Sequence, residues 1–444
     1  MADVGASSAF EELKAAVAAS DVGRATGAAV RAFESKAKPI EVLRAAALGG
    51  ASHNDGLSGS APRGLAMLAS AANLFSVIQP RFQPLPILQA IGYLASEKKA
   101  AVPAKAPLVV SGEVTHLARS FLFAVRGGDL AEAESIFLGM VDEAWERKMA
   151  GDMLFRAAVE DMGEGGRKLM IAVKSWQLAR ALGFKDARLL LRPAVRYLVK
   201  GPRDGTPFES IMAVLGKQWV DLEGLASGGR PLDDLGRSKV VAILTSANEA
   251  ACVAATLSLL GEGYAATSIA EAFAVQAAKR VLVANGYDVE AARGLMFAHA
   301  ARFALTFSRT SERLYALFQS ALRLRSPEPA LPLASVVPSA PEGEELCHLA
   351  GEFDARKSME AATRTQAYLA RGYSTSRMLD VLATYACRDS SIANEGLNLL
   401  LADVCATEFL VTKAAEFPMA LAKMIAASPK DQAAYESWTR ILGP

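Results

Sequence analysis

The chain has 444 residues, long enough to bury roughly 75% of its unfolded surface, and its 48 Lys and Arg against 47 Asp and Glu leave a net charge of +1. No global field draws it to nucleic acid or an anionic membrane, so neither is expected as a partner. With 52% hydrophobic and 21% charged residues it belongs among globular proteins, and 34 Gly and 19 Pro are spaced so that long Ala/Leu-rich stretches run free of helix breakers.

At the start of the chain, Glu11, Glu12 and Lys14 interrupt the place where a secretory signal would put its apolar core. The longest strongly apolar run, 250–260, is about half the length needed to cross a bilayer. Cys252, Cys347, Cys387 and Cys405 are sparse and show no CxxC spacing. A reducing, cytoplasmic setting is therefore the expectation.

An internal repeat is the dominant pattern. Segment 64–74 aligns with 168–178, 294–304 and 396–406, so that Gly64, Gly294 and Gly396 coincide. Each is followed by a second matched stretch: 85–95, 189–199, 315–325 and 417–427. Arg63 falls over Arg167, Tyr93 over Tyr197, Gln89 over Gln319 and Pro86 over Pro418. Further upstream, 16–21 matches 124–129 and Arg44 matches Arg156.

Within the second copy, apolar residues at period 3.6 predict helices over 112–126, 130–146, 152–161, 167–182 and 186–201. Asp129 is placed to cap the second of these, and Gly163, Gly165 and Gly166 to end the third. Pro-rich or Gly-rich linkers separate the copies, most clearly 326–343 with its five prolines. The expectation is an all-α fold of four stacked repeats, 8–98, 112–203, 208–326 and 343–430, each of four to five helices, in a superhelical or paired-bundle array. One unit would leave its apolar faces uncovered, so neighbours must stack on it.

Known catalytic signatures are missing: HExxH, GxSxG, GxxxxGK[ST] and GxGxxG do not occur. With His53, His116, His299 and His348 the only histidines, no metal site is expected, and no cofactor is specified. Cys347-His348 reads as ordinary helix residues.

Two sets of polar residues stand out. One lies in the loop before the central helix of each unit: His53 and Asp55, then Asp161 and Glu164, Asp288, and Arg388 with Asp389. If the loops converge they form a polar patch; otherwise they are solvated turns. The other lies inside the matched apolar helix: Lys174, His299 and Arg302, with Asn73, Asn398 and Asp403 in the remaining copies. Lys174 and His299 share a face. Facing inward they would line a pocket with Trp176 as apolar wall, and a buried amine there could act as base or Schiff-base nucleophile; facing outward they are solvated. The candidate catalytic residues are thus His53, Lys174 and His299, and the candidate ligand-binding residues Asp55, Asp161, Glu164, Trp176 and Arg302.

Ala298-His-Ala-Ala-Arg-Phe-Ala-Leu followed by Leu317-Phe-Gln-Ser-Ala, together with Lys174-Ser-Trp-Gln-Leu, resembles the long helical region that accompanies a Rieske iron–sulfur domain in some bacterial proteins, and more distantly the questin-oxidase-like helical family. The similarity spans most of 8–330 and implies an oxidoreductase background. Where those relatives carry histidines before the central helix, this chain reads Gly165-Gly-Arg-Lys-Leu, and it has no CxH pairs to hold a cluster. The residues themselves point first to a cytoplasmic helical-repeat protein that binds a partner protein or a small apolar ligand, and that can also self-associate. The alternative is an oxidoreductase component with a substrate cavity between the repeats.

Overall fold

The computed structural model describes residues 2–54, 60–101, 103, 105, 108–142, 144–326 and 340–442, with side chains throughout except at 2–6, 142, 144–146, 218 and 442. It is all-helical, with 76% of the chain in helix and, among the described residues, a lone β-bridge between Arg230 and Tyr264. No helix among them is long and apolar enough to cross a membrane. The four cysteines are free thiols, three of them buried and Cys347 exposed.

In chain order the first helices are α1 (Ala2–Ala18), α2 (Val22–Glu34), α3 (Pro39–Ser52), α4 (Arg63–Asn73) and α5 (Pro84–Ser96). They are followed by α6 (Val114–Gly127), α7 (Leu130–Asp142), α8 (Ala144–Val159), α9 (Gly163–Ala181) and α10 (Ala187–Lys200). Two further helices, α11 (Thr206–Gln218) and α12 (Leu222–Ala226), precede α13 (Asp234–Leu244), α14 (Glu249–Gly261), α15 (Ala266–Val283), α16 (Val289–Phe307) and α17 (Leu314–Leu324). The last are α18 (Glu342–Asp354), α19 (Ser358–Ala370), α20 (Thr375–Ala386), α21 (Leu397–Thr412), α22 (Glu416–Ala427) and α23 (Ala433–Leu442).

Local chemistry sets many of the starts. Asp21, Asn248 and Asp288 each accept from an amide of the first turn that would otherwise lack a partner. Asp129 does the same for Glu132 at 3.0 Å, as its position before Leu130 predicts. Pro39 and Pro84 open α3 and α5, where the missing N–H costs nothing. The second predicted helix of 112–203 ends earlier than its pattern suggests, at Asp142, and the third starts at Ala144 rather than at residue 152.

Packing follows one scheme. In α1–α5 the first helix lies on the second and third, the second on the fifth, and the fourth on the third and fifth. The same pairings hold in α6–α10, in α13–α17 and in α18–α22. At the centre, α4 packs on α9, α9 on α16, α16 on α21, and α21 back on α4. Ten consecutive residues of α21, Leu397 to Ala406, are buried, as are Lys168 to Ala179 of α9. A helix covered on all sides belongs in a core, which explains why these segments lack a polar stripe.

Long side chains close the ring between groups by serving carbonyls left open at helix C-termini. Gln89 of α5 donates to Ala386 and Asp389 at the end of α20. Arg196 of α10 donates to Asn54, just past α3, at 2.5 Å, and Gln319 of α17 to Val159, the last residue of α8, at 2.9 Å. Lys423 of α22 donates to Val281 and Leu282 at the end of α15. Each group is thereby tied to the one before it, and the first to the last.

Candidate functional site

Lys174 and His299 both point inward, and both are engaged. Lys174 of α9 reaches across the ring to Asp403 of α21, forming an ion pair in which both partners are buried. Asn73 of α4 donates to Asp403 and to Gln177, each at 3.0 Å, so three of the four central helices share this polar layer. His299 of α16 sits 2.6 Å from Glu408 of α21 through Nδ1, and Arg302 approaches the same carboxylate at 2.8 Å.

Burial acts to raise the pKa of Asp403, but the charges of Lys174 and His299 and the hydrogen bonds from Lys174 and Asn73 outweigh it, and the net direction is downward. Glu408 follows the same logic: burial raises it, while His299 and Arg302 together pull it below the usual carboxylate range. By linkage these two carboxylates stabilise the fold above their unfolded pKa and lose that contribution as acid protonates them in the native state.

Trp176 does not wall this layer. Two residues beyond Lys174 on a helix is a turn of about 200°, and its indole lies edge-on to Phe155, Phe184 and Phe307 at centroid distances of 6.1, 5.2 and 5.4 Å. The expected pocket between Lys174 and Trp176 is therefore not assembled.

The loop residues divide among separate local tasks. Asp161 holds Lys168 at 2.6 Å and accepts from the amides of Gly163 and Asp204. His53 follows α3, its carbonyl accepting from Ala100 at 2.8 Å and its Nδ1 buried without a partner. Asp55 lies outside the described residues. Asp288 caps α16, and Asp389 accepts from the amides of Asp431 and Gln432. Arg388 lies over the rings of Tyr385 and Tyr435. Glu164 alone reaches a shared cavity end: it accepts from the hydroxyl of Tyr197 at 2.5 Å and from Arg167 at 2.8 Å.

That end of the ring is where the structure assembles a site. Arg63, Arg167, Arg293 and Glu395 line one cavity of about 220 Å³ at the N-terminal ends of α4, α9, α16 and α21. Arg63 donates to Glu395 at 2.9 Å, and Arg293 stands 3.7 Å from the same carboxylate. Arg63 and Arg167 also line a neighbouring cavity of about 360 Å³, shared with Tyr93 and Glu164. Burial, and then the like charge of Arg63, lowers the pKa of Arg167.

Left-handed backbone shapes the approach. Glu164, Gly165 and Gly166 lie at φ of 53°, 71° and 82°, and Glu395 and Gly396 at 52° and 71°. A Cβ on Gly166 would meet the Phe297 ring at 2.4 Å, and one on Gly396 would meet Met67 Sδ at 2.2 Å, so glycine lets each central helix seat closely on its neighbour. Non-glycine residues in this region are strained, and such strain gathers at functional sites.

Arg293 and Glu395 stand directly before Gly294 and Gly396 as Arg63 stands before Gly64 and Arg167 before Lys168, a shared position that only the alignment of all these segments reveals.

A separate buried acid sits between α8 and the end of α16. Asp152 is 7% exposed, and one of its carboxylate oxygens lacks a donor. Burial pushes its pKa up to about 6, against smaller opposing effects from Ser308, Lys148 and Arg309. A native pKa above the unfolded value means that stability is fully present below the unfolded pKa and is lost as pH rises through the native one. Asp152→Asn is expected to raise the melting temperature at about pH 8, by the equivalent of up to about 3 kcal/mol, and to change it little near pH 4. Equal effects at both pH values in thermal melts would contradict this account.

No protein-family model, no curated protein and no solved structure matches this chain.

Proposed function

We propose that the chain is a cytoplasmic binding protein built from four copies of a five-helix unit, 8–98, 112–203, 208–326 and 343–430, closed into a ring around α4, α9, α16 and α21, and that it holds a small molecule in the cavity at the arginine-lined end. The recurring helix pairings and the cross-group donors Gln89, Arg196, Gln319 and Lys423 support the repeat. Helices α11 and α12 are then an addition to the third copy, and α23 a C-terminal extension of the fourth. Four free thiols suit a reducing compartment.

The observation that carries the binding reading is the convergence of Arg63, Arg167, Arg293 and Glu395, one from each copy, on a single cavity. Pockets with a few convergent polar groups on apolar walls are the usual form of a small-molecule site. The oxidoreductase alternative would draw its acid–base groups from His53, Lys174 and His299, but Asp403 and Glu408 already engage the last two side chains. Native mass spectrometry of protein purified from its own host is the test. A retained small ligand is expected, and it should be lost in Val289→Trp, which fills the cavity. Ligand-free protein, or a ligand retained by that variant, would overturn the reading.

A further inference from the structure

Three guanidinium groups meet at one end of four helices whose N-termini gather there, so the positive ends of the helix dipoles add to the arginine charge. Within the cavity wall itself, three arginines face one carboxylate, that of Glu395. Glu164 and Glu290 hold Arg167 and Arg293 from outside this wall. A guanidinium carries five N–H donors in a planar fork, and the contacts of Arg167 and Arg293 with these glutamates use only part of that set.

Apart from Asn394, the rest of the wall is apolar: Met170, Leu397, Leu400 and the ring of Tyr287. At about 220 Å³ the space exceeds the ~150 Å³ that accommodates benzene.

We infer that the cavity takes an organic anion, a carboxylate or phosphate joined to one small apolar body, with the anionic group on Arg63, Arg167 and Arg293 and the apolar body against Met170, Leu397 and Leu400. The inference deepens the binding reading above and rests on it. Charge-assisted bonds to paired guanidinium groups are about twice as strong as neutral ones, so the anion supplies affinity while the apolar wall selects size. Phosphate and carboxylate share this chemistry, and the choice between them is left to measurement.

Isothermal titration of the full chain with benzoate, phenyl phosphate and neutral benzamide tests it. Saturable binding of at least one anion is expected, about tenfold or more tighter than benzamide, weakened about tenfold in Arg293→Gln and abolished in Val289→Trp. Whichever anion binds more tightly identifies the group. Circular dichroism melts of both variants, expected to match the parent, separate loss of binding from loss of fold. If benzamide binds as tightly as the anions and Val289→Trp abolishes all three, the anion inference fails while the pocket reading stands. If no probe binds, the anion inference fails, and ligand retention in the native protein decides the pocket reading separately. Anion binding unchanged in Arg293→Gln would also overturn it.

Discussion

Asp403→Leu should destabilise the protein by about 3–5 kcal/mol, because it strands the ammonium of Lys174 in the middle of the helical ring with no anion to face. Lys174→Met alone should be comparably damaging, since Asp403 would keep only Asn73 and Thr407 as hydrogen-bond donors. The double variant should recover a large part of the loss. Replacing a buried pair with apolar side chains of similar volume is often neutral or favourable, although Asn73 would then retain only Gln177 as acceptor. A double-mutant cycle from urea denaturation reads the coupling directly. Single variants that unfold within about 0.5 kcal/mol of the parent would show that the pair is solvated and that the ring is open at this level.

Leu295→Asp carries the other large effect. Leu295 is fully buried on α16, and α16 contacts α9 and α21 as well as α15 and α17. A carboxylate placed there has no partner, which puts the loss above about 4 kcal/mol. Because α16 is one of four mutually supporting central helices, the damage should spread: far-UV circular dichroism should fall across the whole molecule rather than by one quarter. An unchanged melting curve would mean that the matched apolar register around Gly294 is wrong.

The helices that form the ring were legible because 168–178, 294–304 and 396–406 align with 64–74, but their burial on every side was not, since Lys174, His299, Arg302 and Asp403 interrupt them and left an outward face open. Asp129 as a cap was legible because its chemistry is local; Gly163, Gly165 and Gly166, expected to end the helix before them, instead open α9, since α8 already stops at Val159. The start of α8 was not legible either: Gly151 resembles a breaker, but a Cβ there would lie 2.9 Å from the ring of Phe307, and that long-range contact keeps glycine inside a continuous helix.

Candidate residues show the same division. That Lys174 and His299 share a face follows from spacing, and both lie inside. Their partners were beyond spacing arguments, because Asp403 and Glu408 are more than a hundred residues away from each. Trp176 was misplaced by treating neighbours in sequence as neighbours in space, when a helix turns the two apart. The arginine cavity was legible in principle, one residue before three matched glycine or lysine positions, but its meaning depends on the ring closing, which no single copy reveals.

That closure bears on how the protein is made. Gln89 waits for Ala386, Arg63 for Glu395, and the carbonyl of Arg81 for the indole of Trp438 at 2.8 Å. At ribosomal speeds of about 5–20 residues per second, roughly 15–70 s of synthesis separate the emergence of the earliest helices from that of the partners that cover them. During that interval the nascent chain exposes an apolar flank, so its biogenesis is expected to depend on a holdase chaperone far more than that of an open solenoid, whose first repeats are finished as soon as their immediate neighbours emerge.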